Sequence, residues 1–391
     1  MTFIYQSSDM IFLLTFLACG LFIIYGALIV TYQRAWKAIP VFVPGAAATT
    51  RISVLIPARN EEKNIVDCLR SLAKQTYPKD RFEVIVLDDH STDGTAAAVN
   101  AFVGGELRVS CVRMAEIPQT ETMQAYKKFA IETGVRASRG ELIVTTDADC
   151  LFDTGWLAVL AACYEEKGAK FIAAPVRIVA RTRSLLSIFQ ILDFLTLQGI
   201  TGAAVYKRFH SMCNGANLAY SREAFYAVDG FSDIDSIPSG DDMFLMHKIW
   251  RRYPESTFFL KSREAIVSTA AETTWKRFVH QRVRWASKAD RYDDKRIFWV
   301  LLLVYLLNVL FILLALGACW NFWWLWLLLI LLSIKTLVEY PFVRAVAAFF
   351  GQGELMVYFA PLQPLHICYT VVIGWLGKFG SYQWKDRKIS K

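Results

Sequence analysis

The chain has 391 residues, of which 55% are hydrophobic, 14% aromatic and only 20% charged, with a mean hydropathy of +0.33. These values exclude a disordered or coiled-coil protein and are too apolar for an ordinary soluble enzyme, while the length suits two or three units. A formal net charge of +8 points to nucleic acid, an anionic membrane surface or an anionic substrate.

The apolar excess lies at the two ends. Met10 to Tyr32 carries no charge and is long enough to cross a bilayer as a helix. Arg34 and Lys37 follow, so the positive-inside rule puts the next segment in the cytoplasm. A cleaved signal peptide ending near Ala46-Ala47-Ala48 is the alternative. The run is too long for that, and no basic residue precedes it.

Residues 51–296 read as an α/β domain. Strands are expected at 52–56, 82–87, 107–112 and 141–145, with helices at 61–75, after 95 and at 125–137. Such alternation predicts a mostly parallel sheet covered by helices. Ligands bind beyond the carboxyl ends of those strands, where Asn60-Glu61, Asp88-Asp89 and Asp147-Ala148-Asp149 fall. Segment 184–200 is too apolar for an exposed helix and too short to span. It is expected as an interfacial helix on the membrane, or else as a core helix. A basic helix is expected over 274–290.

Ile297 to Ile334 is again free of charge and fits two spans turning around Gly317 and Asn321. Trp320, Trp323, Trp324 and Trp326 would form the interfacial belt. Residues 335–354 read as a mixed, amphipathic connection. Leu355 to Gly377 is apolar but interrupted by Pro361, Gln363, Pro364 and His366, which predicts a broken or re-entrant helix. The C-terminal region, 297–377, thus holds two clear spans and one possibly broken one. With all three crossing, the basic tail 378–391 lies outside, although its lysines argue for inside.

Eight cysteines show no metal spacing, which predicts free thiols in a reducing compartment. The five histidines are equally scattered, against a zinc site. Asp147 and Asp149 are hard oxygen ligands suited to Mg²⁺ or Mn²⁺, or else a solvated turn. Asp241 and Asp242 are either first-turn acids of a helix or a general base kept off the metal. Gln281, Arg284 and Trp285 share one helix face. They would touch anionic lipid, or neutralise a diphosphate and stack on a sugar. Lys127 and Lys128 open a helix and read singly as solvated surface.

Five ordered motifs carry a resemblance: Val54 to Glu61, Asp88-Asp89 through Thr95, Asp147-x-Asp149, Gly240-Asp241-Asp242 and Gln281-x-x-Arg284-Trp285. The chain resembles the membrane-embedded family-two glycosyltransferases. That group contains poly-N-acetylglucosamine, hyaluronan, chitin and cellulose synthases and ceramide glucosyltransferase. The resemblance implies a GT-A domain (nucleotide-diphospho-sugar transferase, Rossmann-like) flanked by transmembrane helices. It implies that Pro57, Ala58, Glu61 and Asp89 bind the uridine part of a UDP-sugar, with Lys128 also on the nucleotide-sugar. Asp147 and Asp149 would hold Mg²⁺ or Mn²⁺, and Asp242 would be the base, with Asp241 the lesser candidate. Gln281, Arg284 and Trp285 would contact diphosphate and acceptor, and residues 212–217 would line a donor-sugar or acceptor pocket.

The implied activity is inverting transfer of a hexosyl or N-acetylhexosaminyl group to a lipid or growing polysaccharide. Membrane lipids and accessory secretion or assembly proteins would be partners, nucleic acid would not, and the catalytic domain would be cytoplasmic on a bacterial inner membrane. Gly-Asp-Asp stands where many relatives have Glu-Asp. The competing expectation is a non-catalytic transport or assembly subunit with a degenerate nucleotide-binding domain. A charge inside a span would favour it, and the long charge-free runs hold none.

Overall fold

The computed structural model describes residues 2–118, 125–234, 240–288, 294–380, 382–384 and 387–389, with backbone alone for 2–14, 17, 382–384 and 387–389. Two compact units divide the chain: a helical unit of Met1–Ala38 with Thr273–Trp384, and an α/β unit over Ile39–Glu272. Helix α1 (Thr2–Ala38) begins the first and runs past Tyr32, its expected end.

In the α/β unit, β1 (Ile52–Ala58), α2 (Ile65–Ala73), β2 (Phe82–Asp88), α3 (Thr95–Asn100), β3 (Val109–Arg113), α4 (Tyr126–Ala137) and β4 (Leu142–Thr145) alternate. Only Pro57 of β1 is not fully buried. Such a strand must be covered on both faces, hence its continuous apolar run. Helix α2 buries Ile65, Cys68, Leu69 and Leu72 along one stripe. It starts later than expected because the preceding loop is held elsewhere. Asn60 is left-handed, with φ 53°, and Glu61 N–H donates to Thr95 Oγ1 at 2.8 Å.

Then come β5 (Leu151–Phe152), α5 (Trp156–Lys167), β6 (Phe171–Ala173), β7 (Val176–Val179), α6 (Leu185–Lys207), β8 (Leu218–Ser221), α7 (Arg222–Ala227), α8 (Asp241–Arg252), β9 (Thr257–Phe259) and β10 (Val267–Ala270). The main sheet has the order β3-β2-β1-β4-β8-β6-β9. Its first four strands are parallel, but β8 is antiparallel to both β4 and β6. Strand β9 is parallel to β6, so the sheet is mostly parallel as expected, with β8 its one reversed strand; side-chain periodicity carries no strand direction and does not reveal that reversal. A smaller sheet has the order β5-β10-β7.

Helix α6 departs from an interfacial surface helix. Every residue from Leu186 to Leu195 is buried. Its polar side chains serve neighbouring backbone: Gln190 pairs with Glu272 through both N–H and carbonyl, and Gln198 accepts from Val176 N–H. The core-helix alternative describes this covering better.

The helical unit continues with α9 (Trp275–Ala286), α10 (Lys295–Gly317), α11 (Phe322–Phe349) and α12 (Gln363–Phe379). Helix α9 lies in this unit rather than in the α/β domain, because its apolar face, Val279 and Val283, packs on Tyr369, Ile373 and Leu376 of α12. Residues 289–290, its expected end, lie outside the described residues. The turn at Asn321 is as expected, its side chain capping α11 at Trp323 N–H. The amphipathic connection over 335–354 is not found. Instead α11 runs on through Lys335, Glu339 and Pro341, because those charges are paired rather than solvated. Lys335 Nζ lies 2.7 Å from Glu339 Oε1 and donates to Gln363 Oε1 at 2.7 Å. The interrupted segment divides into a 3-10 helix, Gly353–Tyr358, and α12 with Pro364 in its first turn.

Among the described residues, four helices are long and apolar enough to cross a membrane: α1 from Ala18 onward, α6, α10 and α11. On α10 and α11 large apolar side chains such as Trp299, Leu313, Trp326 and Leu337 stand exposed. A face of that kind suits lipid.

Candidate active site

Two interlocked loops follow β1 and β2. Asp89 is buried and its N–H donates to the Ala58 carbonyl at 2.8 Å. Arg59 Nη1 donates to the carbonyls of Asp89 and His90. Asn60 N–H donates to Ser91 Oγ, and Asn60 Oδ1 accepts from Thr92 N–H. Both Asn60 and His90 are left-handed, φ 53° and 56°, a conformation that asparagine and histidine tolerate better than most. His90 Nδ1 lies 2.9 Å from Asp89 Oδ1. Pro57, Ala58, Glu61 and Asp89 thus sit on one preformed rim.

Beyond β4 the chain turns, with Cys150 N–H donating to the Asp147 carbonyl. Asp149 Oδ2 accepts from Thr269 Oγ1 at 3.1 Å. Burial first, and then the charges of Asp147 and Glu61, push Asp149 up to about 6. Helix α8 begins after Gly240, whose φ of 82° is the region that favours glycine. Asp241 and Asp242 occupy its first turn, where the helix dipole favours anions. Asp242 Oδ2 accepts from Gly215 N–H at 2.9 Å and its Oδ1 from Met243 N–H at 2.8 Å. Both carboxylate oxygens are therefore fixed.

Lys127, the first lysine of α4, joins the two acidic motifs. Its Nζ lies 2.9 Å from Asp147 Oδ1 and 3.5 Å from Asp241 Oδ2. Burial works against its charge, but Asp147, Asp241 and Asp242 outweigh that and raise its pKa. Sequence alone reads both lysines as solvated surface, and the resemblance puts Lys128 rather than Lys127 on the nucleotide-sugar. Lys128 is buried, donating to the Ile234 carbonyl over the Phe244 ring. Consecutive helical residues point about 100° apart, and nothing in the sequence says which faces the acids.

The segment 212–217 is tied in as well. Thr146 Oγ1 donates to the Ala216 carbonyl. Asn217, fully buried, donates to the carbonyls of Pro175 and Ala265 and accepts from Trp156 Nε1. Gln281, Arg284 and Trp285 belong to α9 of the helical unit. There Arg282 is the buried arginine, its guanidinium 4.2 Å from the Trp285 ring and 4.8 Å from Phe278.

The donor set suits a hard cation of the Mg²⁺ type, which takes one or two carboxylates and completes its shell with water and phosphate. Among the described residues, no group of three histidine, cysteine or acidic side chains stands at metal-holding distance. Cys68 and Cys150 lie close by, but burial pushes both thiols up, so neither is a ready thiolate ligand.

Residues 53–228 match the family described as "Glycosyl transferase family 2", and residues 142–376 match "Glycosyl transferase family group 2". The chain belongs to the family-two glycosyltransferases. It is 28% identical over 258 residues to the "Probable glycosyltransferase YdaM" of Bacillus subtilis, covering 65% of this chain and 59% of that one. It is 26% identical over 193 residues to "Glycosyltransferase AglE" of Haloferax volcanii, covering 48% and 56%. The chain thus spans less than two thirds of these relatives. Among solved structures, the mannosyltransferase PcManGT from Pyrobaculum calidifontis, in complex with GDP-Man and Mn²⁺, superposes with a TM-score of 0.60 at 21% identity, over 91% of this chain and 98% of that chain. The fold is the GT-A arrangement.

Proposed function

We propose that the chain is an inverting membrane glycosyltransferase that moves a sugar from a UDP-sugar to a lipid or glycan acceptor. One observation carries the reading: Lys127 touches both Asp147 and Asp241, so one small cation reaches both acidic motifs. Family membership supports transfer chemistry. A Staphylococcus aureus relative, 34% identical over 117 residues, is named a poly(ribitol-phosphate) beta-N-acetylglucosaminyltransferase, which supports a glycan acceptor.

Asp242 takes the proton from the attacking acceptor hydroxyl. The Gly215 and Met243 amides orient its carboxylate, and one base suffices for a single displacement with inversion. Asp147 and Asp149 would hold Mg²⁺ or Mn²⁺, which would supply positive charge against the departing diphosphate. The rim of Pro57, Ala58, Glu61 and Asp89 takes the uridine. Arg284 adds positive charge for the diphosphate, and Trp285 stacks against the acceptor sugar. The apolar helices anchor the protein in a bacterial inner membrane with the α/β unit on the cytoplasmic side.

Incubation of the full chain with Mg²⁺ or Mn²⁺ and a panel of UDP-sugars and GDP-Man tests this, with nucleotide release and product size as readouts. UDP-sugar turnover that EDTA abolishes is expected. Asp242→Asn should lower kcat by about 10³-fold and leave UDP affinity within twofold. Undiminished turnover in that variant overturns the base assignment.

A further inference from the structure

A second cluster of charged and polar side chains lies wholly within the helical unit. Lys335 is 1% exposed and Gln363 3%. Glu339 Oε1 lies against Lys335 Nζ and accepts from the Tyr25 hydroxyl, while Glu339 Oε2 accepts from Gln363 Nε2 at 2.7 Å. Lys335 Nζ closes the ring on Gln363 Oε1. Three helices, α1, α11 and α12, each contribute. The charges cancel and the ring is closed on itself, so the cluster has no need of a ligand.

Helix α12 in turn carries α9. Phe278 stacks on Tyr369 with ring centroids 5.5 Å apart, and Val283 packs with Ile373. A Cβ added at Gly377 would lie 2.6 Å from Ala286 Cβ, so the two helices meet more closely than a larger residue permits. The start of α12 is pinned by Gln363, and its stretch from Tyr369 to Gly377 bears the helix that holds Gln281, Arg284 and Trp285.

We propose that Tyr25, Lys335, Glu339 and Gln363 form a polar clamp inside the membrane unit that positions α9 through α12. They are positioning residues: they set where Gln281, Arg284 and Trp285 are held and touch no substrate. The catalytic consequence rests on the reading of α9 as a diphosphate and acceptor contact. The mechanical claim does not. Replacing a buried ion pair by apolar side chains is often neutral or stabilising, whereas removing one partner strands a charge. That asymmetry separates the clamp from simple packing.

The test uses the full chain in detergent or nanodiscs. Lys335→Leu/Glu339→Leu is expected to keep a thermal midpoint near that of the parent, while Glu339→Leu alone lowers it. In the double variant, hydrogen exchange of the 278–285 amides should rise at least tenfold and kcat fall at least tenfold, with UDP affinity unchanged. Glu339→Gln leaves one carbonyl for Tyr25 but strands the Lys335 charge and sets a second donor against Gln363 Nε2, so it should lower the thermal midpoint as Glu339→Leu does. Gln363→Leu removes no charge and should loosen α9 likewise, which provides a second route if the double variant does not fold. Parental exchange in α9 together with parental kcat in either folded variant overturns the proposal. Absence of transfer by the unaltered chain would overturn the proposed function instead, and the exchange measurement would still judge the clamp.

Discussion

Lys127 and Lys128 show how adjacent identical residues acquire different tasks. Lys127 lies among Asp147, Asp241 and Asp242. Without its ammonium three carboxylates would share one cleft with no countercharge, which is costly at low dielectric. Lys127→Met should therefore lower kcat/KM for the donor by about 10²-fold, in the range of lost charge-stabilising donors, with the fold intact by circular dichroism. Lys128→Met should do the reverse. It strands the Ile234 carbonyl and destabilises by about 1–3 kcal/mol, read as a lower thermal midpoint with the donor KM unchanged. The same KM shift in both variants would refute the assignment. The motif acids were legible because each falls at a strand end or helix start; the lysine was not, because its role depends on helix rotation.

At the scale of elements, the antiparallel strand β8 and the 212–217 segment before it link the two acidic motifs. Asn217 makes three side-chain hydrogen bonds there. Asn217→Ala takes away the side-chain partner of the Ala265 carbonyl and of the Trp156 indole N–H, while the Pro175 carbonyl keeps Val267 N–H, so a loss of about 2–4 kcal/mol is expected, with faster hydrogen exchange at Gly215 and Ala216. The four leading strands and their helices were readable from alternation and turn residues alone. The direction of β8 was not, since a strand of four residues looks the same run either way. The extent of α11 was missed for a different reason. Lys335 and Glu339 look like a solvated connection until their partners are known, and Tyr25 and Gln363 are 314 and 24 residues away from Glu339. Charge-free runs therefore located α10 and the first half of α11 but understated the length of α11, and the expectation that the long apolar helices carry no charge is corrected by the same pair.

For the whole molecule, composition now has addresses. The apolar excess lies on α1, α10, α11 and α12, with a further share buried along α6. Alkaline carbonate washing of membranes should leave the chain in the pellet, because helices such as α10 require hydrocarbon around their exposed leucines and tryptophans; release into the supernatant would contradict membrane anchoring. The paired charges on α11 bear on how such a chain is made. A lysine or an acid at the centre of a span costs roughly 3 kcal/mol each during insertion, but two opposite charges one turn apart enter as a neutral dipole. Tyr25 has already been synthesised when α11 emerges, and Gln363 has not. An order of assembly is expected in which α11 docks on α1 through Glu339 before the glutamine of α12 closes the ring; a chain ending before Gln363 should still cross-link through cysteines placed at 25 and 339.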